Sequence, residues 1–310
     1  MIKKMKIAVI GAGGAGGYFG GKLAHEGLDV TFLARGEHLS ALKNKGLTVK
    51  SILGDFKVEH LKATDKFSEI GKADLIILGI KAGQIKEIRS ELVQLLHAES
   101  QILPLQNGVL AFQELTEIVE ASNVLGGVCR IISKIESPGV IKHFAAKPSI
   151  VFGKINEPVS GQVRRVKALF DATGIDSWIS DEITAEIWKK FAFICVGGLL
   201  AVTGQTLGEL RVLGETRKMM IKLLGEIYNL SAKIGISLGS DYLVKTVTFI
   251  DSLPHDSTFS LARDIWEGRP SEIDYQNGTV VRLGKEYKIE TPLNEFIYHS
   301  VLPKELKARK

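Results

Sequence analysis

The chain predicts an α/β fold: a doubly wound parallel sheet with helices on both faces, followed by an all-helical domain. Three observations carry that prediction. Six short β-type runs stand in the first half, at 6-KIAVI-10, 29-DVTFLA-34, 74-DLIILGI-80, 101-QILPL-105, 123-NVLGGV-128 and 150-IVFGKI-155, with helical patterns between several of them. Strand–helix alternation of this kind builds a parallel sheet. The runs 7-IAVI-10 and 75-LIIL-78 are continuously apolar rather than alternating, as strands covered on both sides require. Beyond residue 180 strand-like runs nearly vanish, and the chain reads as helices over 182–202, 214–236, 240–252, 256–268, 271–287 and 292–301. The expected domains are therefore 1–180 and 181–310.

Individual elements have their own justification. The first strand runs straight into 15-AGGYFGGKLAHEG-27, and 84-QIKEIRSELVQLLH-97 repeats apolar residues at helical spacing. Ser180 or Asp181 can cap the first helix of the second domain, and Pro270 sits where another can start. The segment 191-FAFICVGGLLAVTGQTLG-208 has no charge over eighteen residues, but its second half carries Thr203, Gly204, Gln205, Thr206 and Gly208. A lipid span needs about 20 apolar residues, so a buried core helix is expected there and no membrane partner. The lysine-rich start followed by 7-IAVI-10 is too short an apolar run for a signal peptide.

Composition narrows the function classes. With 310 residues, 45% hydrophobic and 24% charged, the chain is long and apolar enough for two globular cores. Two cysteines, Cys129 and Cys195, exclude a disulfide scaffold and a four-cysteine zinc site, and accord with a reducing, cytoplasmic compartment. Seven histidines show no close ligand spacing, so no metal site is expected. A net charge of +5 suits a small anionic ligand and does not call for nucleic acid.

Residues 11-GAGGAG-16 match G-x-G-x-x-G directly after a strand and at the opening of a helix, the context in which the pattern binds a dinucleotide. Gly11 permits the tight turn, Gly13 lets the backbone approach a pyrophosphate, and Gly16 allows close helix–strand packing, with Ala12, Gly14 and Ala15 completing the loop. Phosphate is attracted by the unpaired N–H groups of the helix start. An NAD site usually places Asp or Glu at the end of the second strand; here Ala34 is followed by Arg35, a cation suited to a ribose 2′-phosphate. NADPH/NADP+ is thus the expected cofactor. Glu37 is an acidic competitor further along, and a solvated loop residue is the plain alternative for Arg35. Lys81 follows the strand at 74–80 and offers a second cation where ligands bind in such sheets.

Four residues are candidates for the chemistry. Asn107, in 104-PLQNGV-109, is either an amide for a nicotinamide, ribose or substrate oxygen or part of an Asn-Gly turn. Lys190 shares a helix face with Ile183, Ile187 and Ile194, so it either snorkels outward or faces a site as a proton donor. Its neighbour Lys189 falls on another face. Glu272 is expected in the first turn of a helix after Pro270, where the helix dipole alone would favour a carboxylate. Ser260 reads as a helix-surface residue.

Together these segments resemble the ketopantoate reductase (2-dehydropantoate 2-reductase) family over nearly the whole chain. The resemblance rests on the 11–16 loop, Arg35, Lys81, 106-QNG-108, 188-WKKF-191 and above all 260-SLARDIWEGRPSEIDYQNG-278, similar to the family block S-M-x-x-D-x-x-x-x-R-x-T-E-I-D-Y-x-N-G. It implies a Rossmann-type first domain, a helical second domain contributing to a homodimer, and NADPH-dependent reduction of a 2-oxo acid: ketopantoate to pantoate, in pantothenate and coenzyme A biosynthesis. It further implies that Lys190 protonates the developing alkoxide, that Glu272 positions that lysine and the substrate or cofactor, that Ser260 binds substrate, and that Asn107 lies between cofactor and substrate. The family's K-L-x-x-N-x-x-x-N-P-L-T-A reads 190-KFAFICVGGLLAV-202 here, so Ile194 and Gly198 replace two asparagines and Leu199 a proline. A further asparagine corresponds to Leu207 or Gly208. A more apolar and larger pocket follows from these losses, with a paralogous reductase of another, more apolar 2-oxo acid as the alternative. A non-catalytic NADP(H) sensor is a third reading.

Overall fold

The computed structural model describes residues 5–310, so the first four residues, part of the lysine-rich start, lie outside it. Two compact units emerge: Met1–Gln106 with Leu110–Ile183, and Asn107–Val109 with Thr184–Lys310.

The first unit contains β1 (Lys6–Ile10), α1 (Gly14–His25), β2 (Asp29–Leu33), α2 (Gly36–Lys45), β3 (Leu47–Ser51), β4 (Phe56–Val58), β5 (Lys62–Thr64), β6 (Leu75–Leu78), α3 (Arg89–Leu92), β7 (Gln101–Pro104), α4 (Ala111–Thr116), β8 (Gly126–Ser137), β9 (Val140–Gly153), α5 (Gly161–Ala172) and β10 (Asp176–Ile179). Four of the expected strands, joined at one edge by the unanticipated β5, form the five-stranded parallel sheet β5-β2-β1-β6-β7, with β1 paired to β2 on one side and β6 on the other. Alternation splits β1 between two cores. Ile7 and Val9 pack with Phe19 and Phe32, while Ala8 and Ile10 pack with Ile76 and Ile102.

Three features depart from the sequence expectation. The runs at 123–128 and 150–155 are the ends of one long antiparallel hairpin, β8–β9, in a second, mixed sheet ordered β10-β9-β3-β4. Its outer arms carry Arg130, Lys134, Glu136 and Lys142, so their alternation is too polar to announce a strand. Residues 84–97 are not one helix: α3 spans four residues between two 3-10 turns. The apolar spacing there is real, since Ile85, Ile88, Leu92 and Leu95 are buried. Spacing by three also suits 3-10 turns, which periodicity cannot tell from an α-helix. Finally, one face of the parallel sheet is covered by α1 and then the second sheet. A Cβ at Gly20 would lie 2.7 Å from Val9, and one at Gly17 would lie 2.8 Å from Ile141. Glycines on both sides of α1 thus let it sit between two sheets.

The second unit holds α6 (Ile183–Thr203, of which Ile183 packs with the first unit), α7 (Leu207–Val212), α8 (Gly214–Lys233), α9 (Tyr242–Ser252), α10 (Ser260–Trp266), α11 (Asn277–Tyr287) and α12 (Pro292–Ala308). Its core is centred on α6, where Phe191, Ala192, Cys195, Val196, Leu199 and Leu200 are at most 1% exposed. Among the described residues no helix is long and apolar enough to cross a membrane. The expected helix at 271–287 begins only at Asn277, because residues 272–276 form a turn. The unanticipated α7 is closed by a capping box between Thr206 and Glu209.

Candidate functional site

The parallel strands β1, β2, β6 and β7 all end on the same edge of their sheet, and the glycine loop, Arg35 and Lys81 follow three of those ends. The loop geometry separates its glycines into different tasks. Gly11 has φ +94° and its N–H donates to Leu33 O at 3.0 Å; any Cβ there would lie 2.7 Å from Ile80. At Gly16 a Cβ would lie 2.0 Å from the carbonyl oxygen of Gly11, and at Gly14 2.6 Å from that of Ser133. Gly13 differs. Its backbone is extended, and the nearest atom to a Cβ is Gly79 O at 3.8 Å. The fold itself does not need glycine at 13, whereas a pyrophosphate lying against the backbone does. The cradle therefore fits the dinucleotide that its sequence implies.

The loop has a brace that spacing did not reveal. His38 Nε2–H donates to Ala12 O at 2.9 Å, and His38 Nδ1 accepts the Gly139 N–H at 3.1 Å. Burial pushes the imidazole below its ordinary value, outweighing the Ala12 hydrogen bond. The neutral ring matches both partners, since a protonated Nδ1 would face a second donor. Because the folded pKa is depressed, this stabilisation is complete above the ordinary value of 6.5 and declines as pH falls through the folded pKa. Tm measured from pH 7.5 down to 5 should accordingly fall less in His38→Ala than in the parent; equal slopes would mean that His38 does not stabilise the loop.

Arg35 is exposed, extended, and occupies the N-cap position of α2, directly beyond β2. Its charge is among the weaker causes that hold the Glu91 carboxyl below the ordinary range, after the Ser90 hydroxyl. Glu37 lies in the first turn of α2 and is exposed, a position favoured by the helix's own dipole. Lys81 is exposed, and its N–H donates to Gln84 Oε1 at 3.0 Å in a single 3-10 turn.

In the second unit the structure brings two candidates together: Asn107 Nδ2–H donates to Glu272 Oε2 at 3.1 Å. Gly108, at φ +104°, lies so close to the Tyr275 carbonyl that a Cβ would be 3.2 Å from it. Glu272 is in the turn ahead of α11 rather than in a helical first turn, so it is an amide contact and not a helix dipole that meets its side chain. Lys190 is half-buried on α6, while Lys189 pairs with Glu186 at 3.0 Å. Ser260 is the exposed first residue of α10; the preceding Phe259 packs on Phe193 and Gly197. Lys190 and Ser260 make no hydrogen bond or ion pair with the Asn107–Glu272 pair among the described residues.

The positions of the missing asparagines correct one expectation. Gly198 does not open a larger space: a Cβ there would lie 2.3 Å from Asn277 Oδ1 and 2.7 Å from Ile297. Asn277 is wholly buried and donates to Cys195 O at 3.2 Å and Asn294 Oδ1 at 2.9 Å. At Gly208 the His255 ring occupies the corresponding volume, 2.3 Å from a Cβ, and Leu207 and Leu199 are in the core. Only Ile194, half-buried one turn beyond Lys190, leaves an apolar group beside a candidate. Gly198→Asn should therefore cost about 3 kcal/mol or more of stability through overpacking and restore no activity. An unfolding curve matching the parent would contradict that packing.

Among the described residues no group of three or more His, Cys, Asp or Glu could hold a metal ion. Both thiols are buried and free, and burial pushes Cys195 well above the ordinary thiol range.

Comparison with known proteins gives this geometry a context. The family model described as "Ketopantoate reductase PanE/ApbA" matches residues 7–157, and that described as "Ketopantoate reductase PanE/ApbA C terminal" matches 182–305. The chain is 31% identical over 297 residues to a Bacillus subtilis protein named "Uncharacterized oxidoreductase YkpB", covering 95% of this chain and 97% of that one. A crystal structure of a PanE/ApbA family ketopantoate reductase from Ralstonia eutropha superposes with a TM-score of 0.90 at 27% identity, covering 99% and 100% of the two chains. The ternary structure of D-mandelate dehydrogenase with NADH and anilino(oxo)acetate superposes with a TM-score of 0.88 at 25% identity, again covering 99% and 100%.

Proposed function

The chain belongs to the ketopantoate reductase family of oxidoreductases acting on CH–OH groups, and from that premise we propose that it reduces the C2 carbonyl of a 2-oxo acid with NADPH. The observation that carries the dinucleotide half of the proposal is Gly13, the loop glycine that the fold leaves without a steric reason. A bound reduced nicotinamide would supply the hydride to C2. The Lys190 ammonium then stabilises charge on the carbonyl oxygen and gives it a proton, an interaction strongest in the transition state. Glu272, held by Asn107, orients the lysine and the polar groups of substrate or cofactor. Ser260, exposed at the start of α10, donates to the substrate.

Preference for NADPH is supported by Arg35 immediately beyond β2, with the acidic Glu37 one step into α2. Arg35→Ala should weaken NADPH binding about 10- to 100-fold through loss of charge-assisted phosphate contacts, and leave NADH binding within about twofold. Equal losses for the two cofactors, measured by fluorescence titration, would sink the 2′-phosphate assignment.

Ketopantoate is the first substrate to test, which would place the enzyme in pantothenate and coenzyme A biosynthesis. A second reading, a bulkier or more apolar 2-oxo acid, is favoured by Ile194 beside Lys190 and by the likeness to D-mandelate dehydrogenase. Oxidation of NADPH is followed with ketopantoate and then aliphatic and aromatic 2-oxo acids. Fast turnover of ketopantoate supports the first reading, and turnover confined to an apolar acid supports the second. Tight NADPH binding without turnover of any acid would instead identify a sensor. A homodimer in the cytoplasm completes the proposal, and light scattering on the purified protein tests the dimer.

A further inference from the structure

Glu305 has a task that neither its helix nor the sequence explains. It lies in the last turn of α12, where the helix dipole disfavours an acid. It is 2% exposed, and a buried carboxylate survives only with strong donors around it. Two of those donors come from one residue. The Ser271 N–H reaches Glu305 Oε2 at 2.8 Å and the Ser271 hydroxyl reaches the same oxygen at 2.5 Å. Arg309 Nε–H donates to Oε1 at 2.5 Å, and its Nη2–H donates to Ser271 O at 3.2 Å. Ser271 itself is 1% exposed.

The clamp extends past the next residue. The Ser271 hydroxyl accepts the Ile273 N–H at 3.2 Å, and the Glu272 carbonyl accepts the Gln276 N–H at 2.9 Å. Residue 272 is thus held on its amino side by Glu305 and Arg309 and on its carboxyl side through Ile273. Its backbone is fixed, and its carboxylate is presented to Asn107. We propose that Glu305 is a positioning residue for the reaction: with Arg309 it grips Ser271 and so holds the turn that presents Glu272. The proposal rests on the reductase reading for its kinetic consequence, but not for the clamp itself.

A matched control stands at the other end of the same helix. Glu226 is also buried, at 7% exposure, and accepts the N–H groups of Leu293 and Asn294 at 2.9 and 3.0 Å. It also accepts from Asn294 Nδ2 at 2.8 Å, and Asn294 Oδ1 accepts from Asn277, so Glu226 caps α12 and steadies the start of α11 but does not grip Ser271. Glu305→Gln and Ser271→Ala should each lower kcat about tenfold, the scale of a small misplacement of a working group, with KM for cofactor and acid within about twofold. Ser271→Thr, which keeps the hydroxyl, should retain parental kcat. Glu226→Gln should match Glu305→Gln in lost Tm but keep kcat. On a Glu272→Gln background, Glu305→Gln should have no further effect on kcat. In the absence of any substrate, hydrogen exchange at residues 271–275, ahead of the Asn277–Asn294–Glu226 contacts, should quicken in Glu305→Gln and not in Glu226→Gln.

The proposal is overturned if Glu226→Gln lowers kcat as much as Glu305→Gln, if the losses at Glu305 and Glu272 are additive, or if exchange at 271–275 is unchanged in Glu305→Gln. Should Glu305→Gln fail to fold, the Ser271→Ala and Ser271→Thr pair decides by the same criteria. Failure of the parent enzyme to reduce any 2-oxo acid would defeat the functional reading, and the exchange comparison then judges the clamp alone.

Discussion

Lys190→Ala is expected to lower kcat by about three orders of magnitude, the upper part of the range for loss of a general acid that also stabilises developing charge. NADPH affinity should stay within about twofold, because Lys190 is on α6, in the helical unit, whereas the glycine loop and Arg35 belong to the other. Stability should barely change, since the side chain is half-buried and makes no ion pair among the described residues. The adjacent Lys189 supplies the control. It carries the same charge but is committed to Glu186 at 3.0 Å, so Lys189→Ala should retain most of the turnover. Rates and cofactor titrations on the two variants separate a proton donor from general electrostatics. Normal turnover in Lys190→Ala, or equal losses in both variants, would remove Lys190 from the mechanism.

The local geometry around several candidate residues is legible in the sequence because they lie at places where local sequence dictates local structure. The strand ending at Ile10 and the glycines after it specify a tight strand–turn–helix, and Arg35 follows the next buried strand just as directly. The parts that escaped depend on contacts distant in sequence. His38 braces Ala12 only because Gly139, 101 positions away, closes the hairpin turn beside it. Asn107 meets Glu272 across 165 positions, and no period or motif spacing encodes that meeting. The same limit holds at Gly198, where a smaller side chain leaves no room because Asn277 and Ile297 close in on it. Likewise the turn at 272–276 looked helical because its residues suit a helix; it is Glu305, on another helix, that pins Ser271 ahead of it.

Alanine at two glycines only three residues apart should produce opposite failures. At Gly16 the added Cβ would lie 2.0 Å from the Gly11 carbonyl oxygen and 3.3 Å from Val9. The obstacle is backbone, inside the seam between β1 and α1, so no side-chain rotation relieves it. Helix propensity alone would favour Ala over Gly by about 1 kcal/mol, but the clash forces the helix off its strand. A net loss of about 3 kcal/mol or more is expected, seen as a large drop in Tm with or without cofactor. At Gly13 the backbone is extended, and no protein atom lies within 3.4 Å of the Cβ position, the nearest being 3.8 Å away. Gly13→Ala should therefore leave Tm unchanged or raise it slightly, by restricting the unfolded chain, while weakening dinucleotide binding tenfold or more (about 1.4 kcal/mol) by intruding where the pyrophosphate approaches. The two readouts, thermal unfolding and cofactor titration, must cross. If Gly13→Ala binds NADPH and NADH as the parent does, the loop is a packing device and the dinucleotide must be held elsewhere. If Gly16→Ala is as stable as the parent, the close helix–strand approach that forms the cradle is not what glycine at 16 protects.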